Sequence, residues 1–219
     1  MIRRHFIAAA GGLWAMGAWA AQNKPRGPAA HGATPKTILV LGDSLSAEYG
    51  LPRGSGWVAL LQKRLAAEKI PATVQNASIS GETTSGGRSR LAALLAADKP
   101  AVVILELGAN DALRGLPLAM TQDNLNQMTQ AAQKAGAKVL LLGMQVPPNY
   151  GSDYANHFAA TFGQVARANK AALVPFLLKG VADAPNAAQL FQSDRIHPIA
   201  AAHPTLLNNV WPELKKLLK

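Results

Sequence analysis

The sequence predicts an α/β fold: a three-layer, doubly wound sandwich around a central, mostly parallel sheet of five strands. Two observations carry this. Short, continuous apolar runs recur along the chain, and continuous rather than alternating runs mark strands buried on both faces. Between them lie stretches whose apolar residues fall at helical spacing, and strands alternating with helices imply a parallel sheet covered on both sides. Crossovers between parallel strands are right-handed, which makes such a series an open sandwich. A chain of 219 residues suits one domain, and no internal repeat or second-domain linker interrupts it.

The elements follow in order. Thr37–Leu41 (TILVL) is an apolar strand ending at Gly42. Trp57–Lys69 carries apolar residues at 57, 60, 61 and 65, a helical stripe. Ala72–Asn76 is a weaker strand. Arg88–Ala97 places Leu91, Leu94 and Leu95 at helical spacing, and Ala101–Leu107 (AVVILEL) is the clearest strand. Thr121–Ala135 reads as a helix with Thr121 as N-cap and Gly136 as its stop. Lys138–Gly143 is a further buried strand. Tyr154–Lys170 is a helix with Phe158, Phe162 and Val165 inward, and Leu173–Leu178 is a last strand interrupted by Pro175. Thr205–Leu218 closes the chain as a helix in which Pro212 is expected to make a kink or a fresh start.

The N-terminus reads differently. Arg3 and Arg4 precede an apolar stretch, Phe6–Gly17, too short and glycine-rich to span a bilayer comfortably. Ala18-Trp19-Ala20 then offers small residues at the −3 and −1 positions of a cleavage site. Residues 1–20 are therefore expected to be a signal peptide, residues 21–35 a flexible leader and residues 36–219 the folded domain. The arginine pair also resembles the front of a twin-arginine signal, without its flanking polar residue and lysine. Export to the periplasm or beyond is the expected destination.

Composition narrows the chemistry. There is no cysteine, which excludes a disulfide framework, thiolate metal sites and a cysteine nucleophile. The net charge is +10; removing residues 1–20 takes away Arg3 and Arg4 and no acidic residue, leaving +8. The basic residues are scattered and not interleaved with aromatics, so no nucleic-acid partner is expected. Peripheral contact with an anionic membrane or cell wall fits the charge better. No group of His, Asp and Glu has metal-ligand spacing, so no metal site is expected, and Gly86-Gly87 makes no dinucleotide fingerprint. A monomer is the default.

In doubly wound sheets ligands sit beyond the carboxyl ends of the strands. The residues there are Gly42-Asp43-Ser44-Leu45-Ser46, Ile79-Ser80-Gly81-Glu82-Thr83, Gly108-Ala109-Asn110-Asp111 and, before the closing helix, Ser193-Asp194-Arg195-Ile196-His197-Pro198. Each alone is commonly a turn or a cap. Together, each after its own strand, they form a set of parts for acyl transfer. A serine hydroxyl is a weak nucleophile until an imidazole takes its proton. The imidazole needs a carboxylate to fix its tautomer, and Asp194 lies three residues before His197. An oxyanion needs preorganised donors, which the Ser44 and Gly81 N–H groups and the Asn110 amide would supply. Ser46 occupies the position where a Gly-x-Ser-x-Gly elbow has glycine, which disfavours an ordinary α/β-hydrolase. Asp43 is read as a brace of the serine loop and Asp111 as a loop cap. His203 lacks an Asp three residues earlier, His157 falls on a helix and His31 in the leader. Leu113–Pro117 is an apolar loop, and Leu113 and Leu116 are expected to border the substrate pocket.

These blocks resemble the SGNH, or GDSL, hydrolase family, and within it the branch of secreted esterases, thioesterases and lysophospholipases with the arylesterases beside them. The likeness extends over Leu41–Ala47, Asn76–Thr83, Glu106–Asp111, Pro147-Pro148-Asn149-Tyr150-Gly151 and Asp194–Pro198. It implies a flavodoxin-like sandwich and a serine esterase working through a covalent acyl-enzyme without cofactor. Ser44 would be the nucleophile, His197 the base and Asp194 its partner, with Ser44, Gly81 and Asn110 as the oxyanion hole. Two positions depart from the family pattern: Arg195 stands where glycine is usual, and Ile199 where asparagine is frequent. The substrates implied are small-molecule or lipid acyl esters. A carbohydrate O-deacetylase using the same groups, or a non-catalytic binding module, are the alternatives.

Overall fold

The computed structural model describes residues 35–219, so the expected signal peptide, the leader up to residue 34 and His31 lie outside the described residues. Five strands form one sheet: β1 (Lys36–Gly42), β2 (Ala72–Asn76), β3 (Val102–Glu106), β4 (Lys138–Leu142) and β5 (Ala172–Val174). Their order is β2-β1-β3-β4-β5, and every pairing is parallel. The chain steps from β1 to β2 on one side, then returns to place β3 on the other side of β1. The topological switch point, where such sheets bind ligands, is therefore the crevice beyond the ends of β1 and β3.

Burial explains the strands. Ile38–Leu41 of β1, Val102–Leu105 of β3 and Leu140–Leu142 of β4 are wholly inaccessible, as expected for apolar runs covered on both faces. The helices are α1 (Trp57–Ala67), α2 (Thr84–Asp98), α3 (Ala109–Leu113), α4 (Leu118–Lys134), α5 (Ser152–Asn169) and α6 (His203–Leu217). α1 packs with α6, and α2, α4 and α5 pack in series, giving the two outer layers. α1 turns Trp57, Val58, Leu61 and Leu65 inward; of the stripe read from the sequence Leu60 is only partly buried, and Val58 is buried in addition.

The departures have local causes. α2 starts at Thr84, not Arg88. The Thr83 side chain caps it by accepting from the Gly86 N–H at 3.3 Å. Gly86 and Gly87 are poor helix formers and conceal this turn in the sequence. α4 starts at Leu118 after Pro117, so Thr121 is not its N-cap; it is buried in the first turn, its hydroxyl donating to Asp111 Oδ1 at 3.3 Å. β5 is three residues long and stops before Pro175. α6 runs continuously through Pro212, with no fresh start there. α3, five residues long, is too short to carry a helical period in the sequence.

Candidate active site

β1 ends at Gly42, and the chain turns at once. The Asp43 carboxylate, almost wholly buried, accepts the Leu45 N–H at Oδ1 (3.0 Å), and its carbonyl accepts the Ala47 N–H (2.9 Å). These bonds fix the tight turn that carries Ser44 above the strand end. The Gly81 loop is tied to the same place, because the Ile79 N–H donates to the Gly42 carbonyl at 3.0 Å. Gly81 has φ +79°, a left-handed conformation that glycine adopts without strain. Its carbonyl accepts from Arg114 Nη2 at 2.7 Å. Asn110 sits in α3, beyond the end of β3, and its Nδ2 donates to Asp43 Oδ2 at 3.0 Å.

The histidine arrives from far along the chain. Phe191 and Pro198 form an antiparallel bridge, and the Gln192 N–H donates to the His197 carbonyl at 2.7 Å, so residues 191–198 form a closed loop. Asp194 Oδ1 accepts the N–H groups of Ile196 (2.9 Å) and His197 (3.0 Å). Its Oδ2 lies 2.7 Å from His197 Nδ1, and His197 Nε2 lies 2.8 Å from Ser44 Oγ. The His197 N–H, followed by the ring contact and the Ile196 N–H, holds Asp194 down to about 2 against the opposing effect of burial. An ionised Asp194 can only accept, so the proton sits on Nδ1 and Nε2 is free to accept from the serine hydroxyl. Arg195 takes φ +57° inside this loop, the region that favours the glycine usual there.

The structure thus brings Ser44, His197 and Asp194 into one hydrogen-bonded chain, with Gly81 and Asn110 alongside Ser44. Among the described residues, neither the Ser44 nor the Gly81 N–H has an intramolecular acceptor. A cavity of about 890 Å³ opens at this point, lined by Ser44, Gly81, Asn110 and His197 on one side. Met144, Val146, Phe176, Leu178 and Phe191 are among its apolar walls. Leu113 also lines it. Leu116 is not among its lining residues; it follows a turn closed by its own N–H on the Asp111 carbonyl at 2.9 Å.

The remaining candidates have structural roles. Asp111 is buried and caps α2 by accepting the Thr84 N–H at 2.8 Å. His203 Nδ1 accepts the Trp57 N–H at 3.0 Å, and burial lowers its pKa. His157 is exposed on α5. Among the described residues no group of three or more His, Cys, Asp or Glu side chains is placed to hold a metal. Sequence reasoning missed two residues of the site. Tyr49 lies against the His197 ring. Glu106, fully buried at the end of β3, accepts from the Asp43 N–H at 3.2 Å and the Ser46 hydroxyl at 2.7 Å. An acid inside an otherwise apolar strand was the available signal for Glu106.

A flavodoxin-like sheet carrying a serine–histidine–aspartate chain at its switch point, without a Gly-x-Ser-x-Gly elbow, defines a class of hydrolase distinct from the α/β-hydrolases. Residues 40–204 match the GDSL-like lipase/acylhydrolase family, and the chain belongs to it. It is 56% identical over 186 residues to the esterase TesA of Pseudomonas aeruginosa, covering 85% of this chain and 91% of that protein. A crystal structure of TesA matches with a TM-score of 0.80, covering 83% of this chain and 99% of the other. The thioesterase 1/protease 1/lysophospholipase L1 of Escherichia coli K12 is 38% identical over 186 residues, covering 85% and 86%. The psychrotrophic esterase EstA from Pseudoalteromonas sp., in a structure inhibited by monoethylphosphonate, is 42% identical with a TM-score of 0.78, covering 84% and 98%.

Proposed function

We propose that the protein is a serine esterase that hydrolyses acyl esters and thioesters through a covalent acyl-enzyme. The observation that carries this is the continuous chain from Asp194 Oδ2 to His197 Nδ1 (2.7 Å) and from His197 Nε2 to Ser44 Oγ (2.8 Å). Ser44 Oγ attacks the substrate carbonyl as His197 takes its proton. The tetrahedral oxyanion accepts hydrogen bonds from the Ser44 and Gly81 N–H groups and the Asn110 amide. His197 then gives the proton to the departing alcohol or thiol, leaving an ester on Ser44. Water attacks that ester with His197 again as base, and the acid product leaves. The names of the relatives, an esterase and a thioesterase/lysophospholipase, support both classes of leaving group.

The apolar cavity walls favour aliphatic or aryl acyl groups over the acetyl group of a sugar. A lysophospholipid presents such a chain beside a polar head and fits an opening bordered by Arg195. The signal-like residues 1–20 support export to the periplasm or outside, and the basic balance supports peripheral contact with anionic lipid or cell wall. One chain supplies every group of the site, so a monomer suffices.

A series of p-nitrophenyl esters of rising chain length, run beside a lysophospholipid and an acetylated sugar, tests this reading. Turnover is expected to favour the longer esters and to fall by about 10⁴-fold or more in Ser44→Ala. A Ser44→Ala protein with near-normal turnover contradicts the nucleophile, and a preference for the acetylated sugar contradicts the substrate class.

A further inference from the structure

The catalytic scheme leaves one buried acid without a task. Glu106 ends β3, has no solvent exposure, and lies directly under the turn that carries the nucleophile. Its Oε2 accepts from both the Asp43 N–H (3.2 Å) and the Ser46 hydroxyl (2.7 Å), residues that bracket Ser44. Ser46 is in turn tied to β2, since Asn76 Nδ2 donates to its carbonyl at 2.8 Å. Asp43 extends the network the other way, accepting from Asn110 Nδ2 at 3.0 Å. The space for the carboxyl is carved out of β1 itself: a β-carbon on Gly42 would sit 2.7 Å from Glu106 Oε2 and 2.8 Å from Ser46 Oγ.

We propose that Glu106 is a positioning residue of the oxyanion hole: its carboxyl clamps both ends of the Asp43–Ser46 turn, fixing the Ser44 N–H directly and the Asn110 amide through Asp43. The inference rests on the esterase reading above and assigns a role to a residue outside its chemistry. A clamp is needed because the donors must already point at the oxyanion when it forms. Asn110 Nδ2 has two hydrogens. Asp43 takes one, and that fixes the direction of the other.

Glu106 performs this task as the uncharged acid. Its second oxygen, Oε1, has no partner among the described residues. An orphaned oxygen on a neutral carboxyl costs about a hydrogen bond, whereas on a buried carboxylate it would leave charge unsolvated. Burial, and next the negative charge of Asp43, push Glu106 well above the usual carboxylate range. The pair therefore carries one charge, which resides on Asp43, where Leu45 and Asn110 donate to it.

The test compares Glu106→Gln and Glu106→Leu by steady-state hydrolysis of a soluble p-nitrophenyl ester. Glutamine keeps a neutral acceptor of the same shape and is expected to hold kcat within about threefold, the scale of a lost or distorted neutral hydrogen bond. Leucine removes the clamp and is expected to lower kcat by about 10–100-fold with KM little changed, the signature of an interaction felt in the transition state. A folded Glu106→Leu protein with unaltered kcat overturns the proposal, as does a Gln variant as impaired as Leu. Ser46→Ala, which severs one arm of the clamp, provides the check if Leu prevents folding. It is expected to lower kcat about 3–10-fold, and an unchanged kcat contradicts the clamp. The infrared carbonyl stretch of a protonated buried acid is expected in the wild type at neutral pH and not in Glu106→Gln; a wild type without it overturns the neutral form. Inactivity of the wild type itself would count against the esterase reading instead.

Discussion

The Tyr49 ring lies against the His197 imidazole, with centroids 4.4 Å apart and planes tilted by 38°. Tyr49 belongs to the loop that follows the Ser44 turn, and its carbonyl accepts from Gln192 Nε2 at 2.9 Å. The loop of the serine and the loop of the histidine are thus joined by ring contact and by hydrogen bond. Aromatic pairs of this kind contribute about 0.5–1.5 kcal/mol. Tyr49→Ala is expected to lower kcat/KM by about 3–10-fold and Tyr49→Phe to leave it close to wild type. Steady-state kinetics on a soluble ester decides, and equal values for all three proteins contradict a supporting role for the ring.

The Asn110 amide is held by Asp43 and faces the cavity. Asn110→Ala is expected to reduce kcat by about 10²–10³-fold with little change in KM. Loss confined to KM would place Asn110 in substrate binding, outside the oxyanion hole.

Asp43 gives a pH dependence of definite sign. Burial raises its pKa to about 6, against hydrogen bonds from the Leu45 N–H and Asn110 and the pull of His197. As pH falls through about 6, Asp43 protonates and becomes a poorer acceptor for the Asn110 amide, so kcat declines on the acid side. For stability, a folded-state pKa above the unfolded value means a contribution fully present below the unfolded value and lost as pH rises through about 6. Asp43→Asn is therefore expected to gain in thermal midpoint relative to wild type between pH 4 and pH 8. A constant or shrinking difference contradicts the buried ionised Asp43.

Asp194 behaves oppositely. Its folded pKa is held to about 2, below the unfolded value, so its contribution to stability is present above the unfolded value and lost as pH falls toward 2. It is exposed, so the effect on stability is small. Its effect on rate is large. Asp194→Asn can present a donor where Nδ1–H needs an acceptor, and a loss of about 10³–10⁴-fold in kcat is expected with an unchanged fold. Near-normal kcat would mean that the imidazole is oriented by other groups.

Much of this was legible in the sequence, for reasons visible in particular residues. Continuous runs such as Ile38–Leu41 and Val102–Leu105 announce strands buried on both faces, and the switch-point rule then picks out Ser44, Gly81 and Asn110. Asp194 and His197 were legible because a local spacing of three residues lets one carboxylate bind both the backbone and the ring of the same histidine. What was not legible depends on long-range packing. Nothing local sets Tyr49 beside a ring 148 positions later, or puts Glu106 under residues 43 and 46. The cavity walls at Phe176, Leu178 and Phe191 come from loops without period. Leu116 lies outside the cavity lining, and a turn bonded to the Asp111 carbonyl leaves no trace in hydrophobic pattern. The early starts of α2 and α4 were concealed by the glycines in the first turn of α2 and by the proline just before α4.

The most direct measurement is the site of covalent modification by a fluorophosphonate probe, read by peptide mass spectrometry on the folded protein. The account predicts one adduct, on Ser44, formed rapidly in the wild type and at least about 10³-fold more slowly in His197→Ala, whose serine has no base. An adduct on any other residue, or rapid labelling of Ser44 that is indifferent to His197, would contradict it.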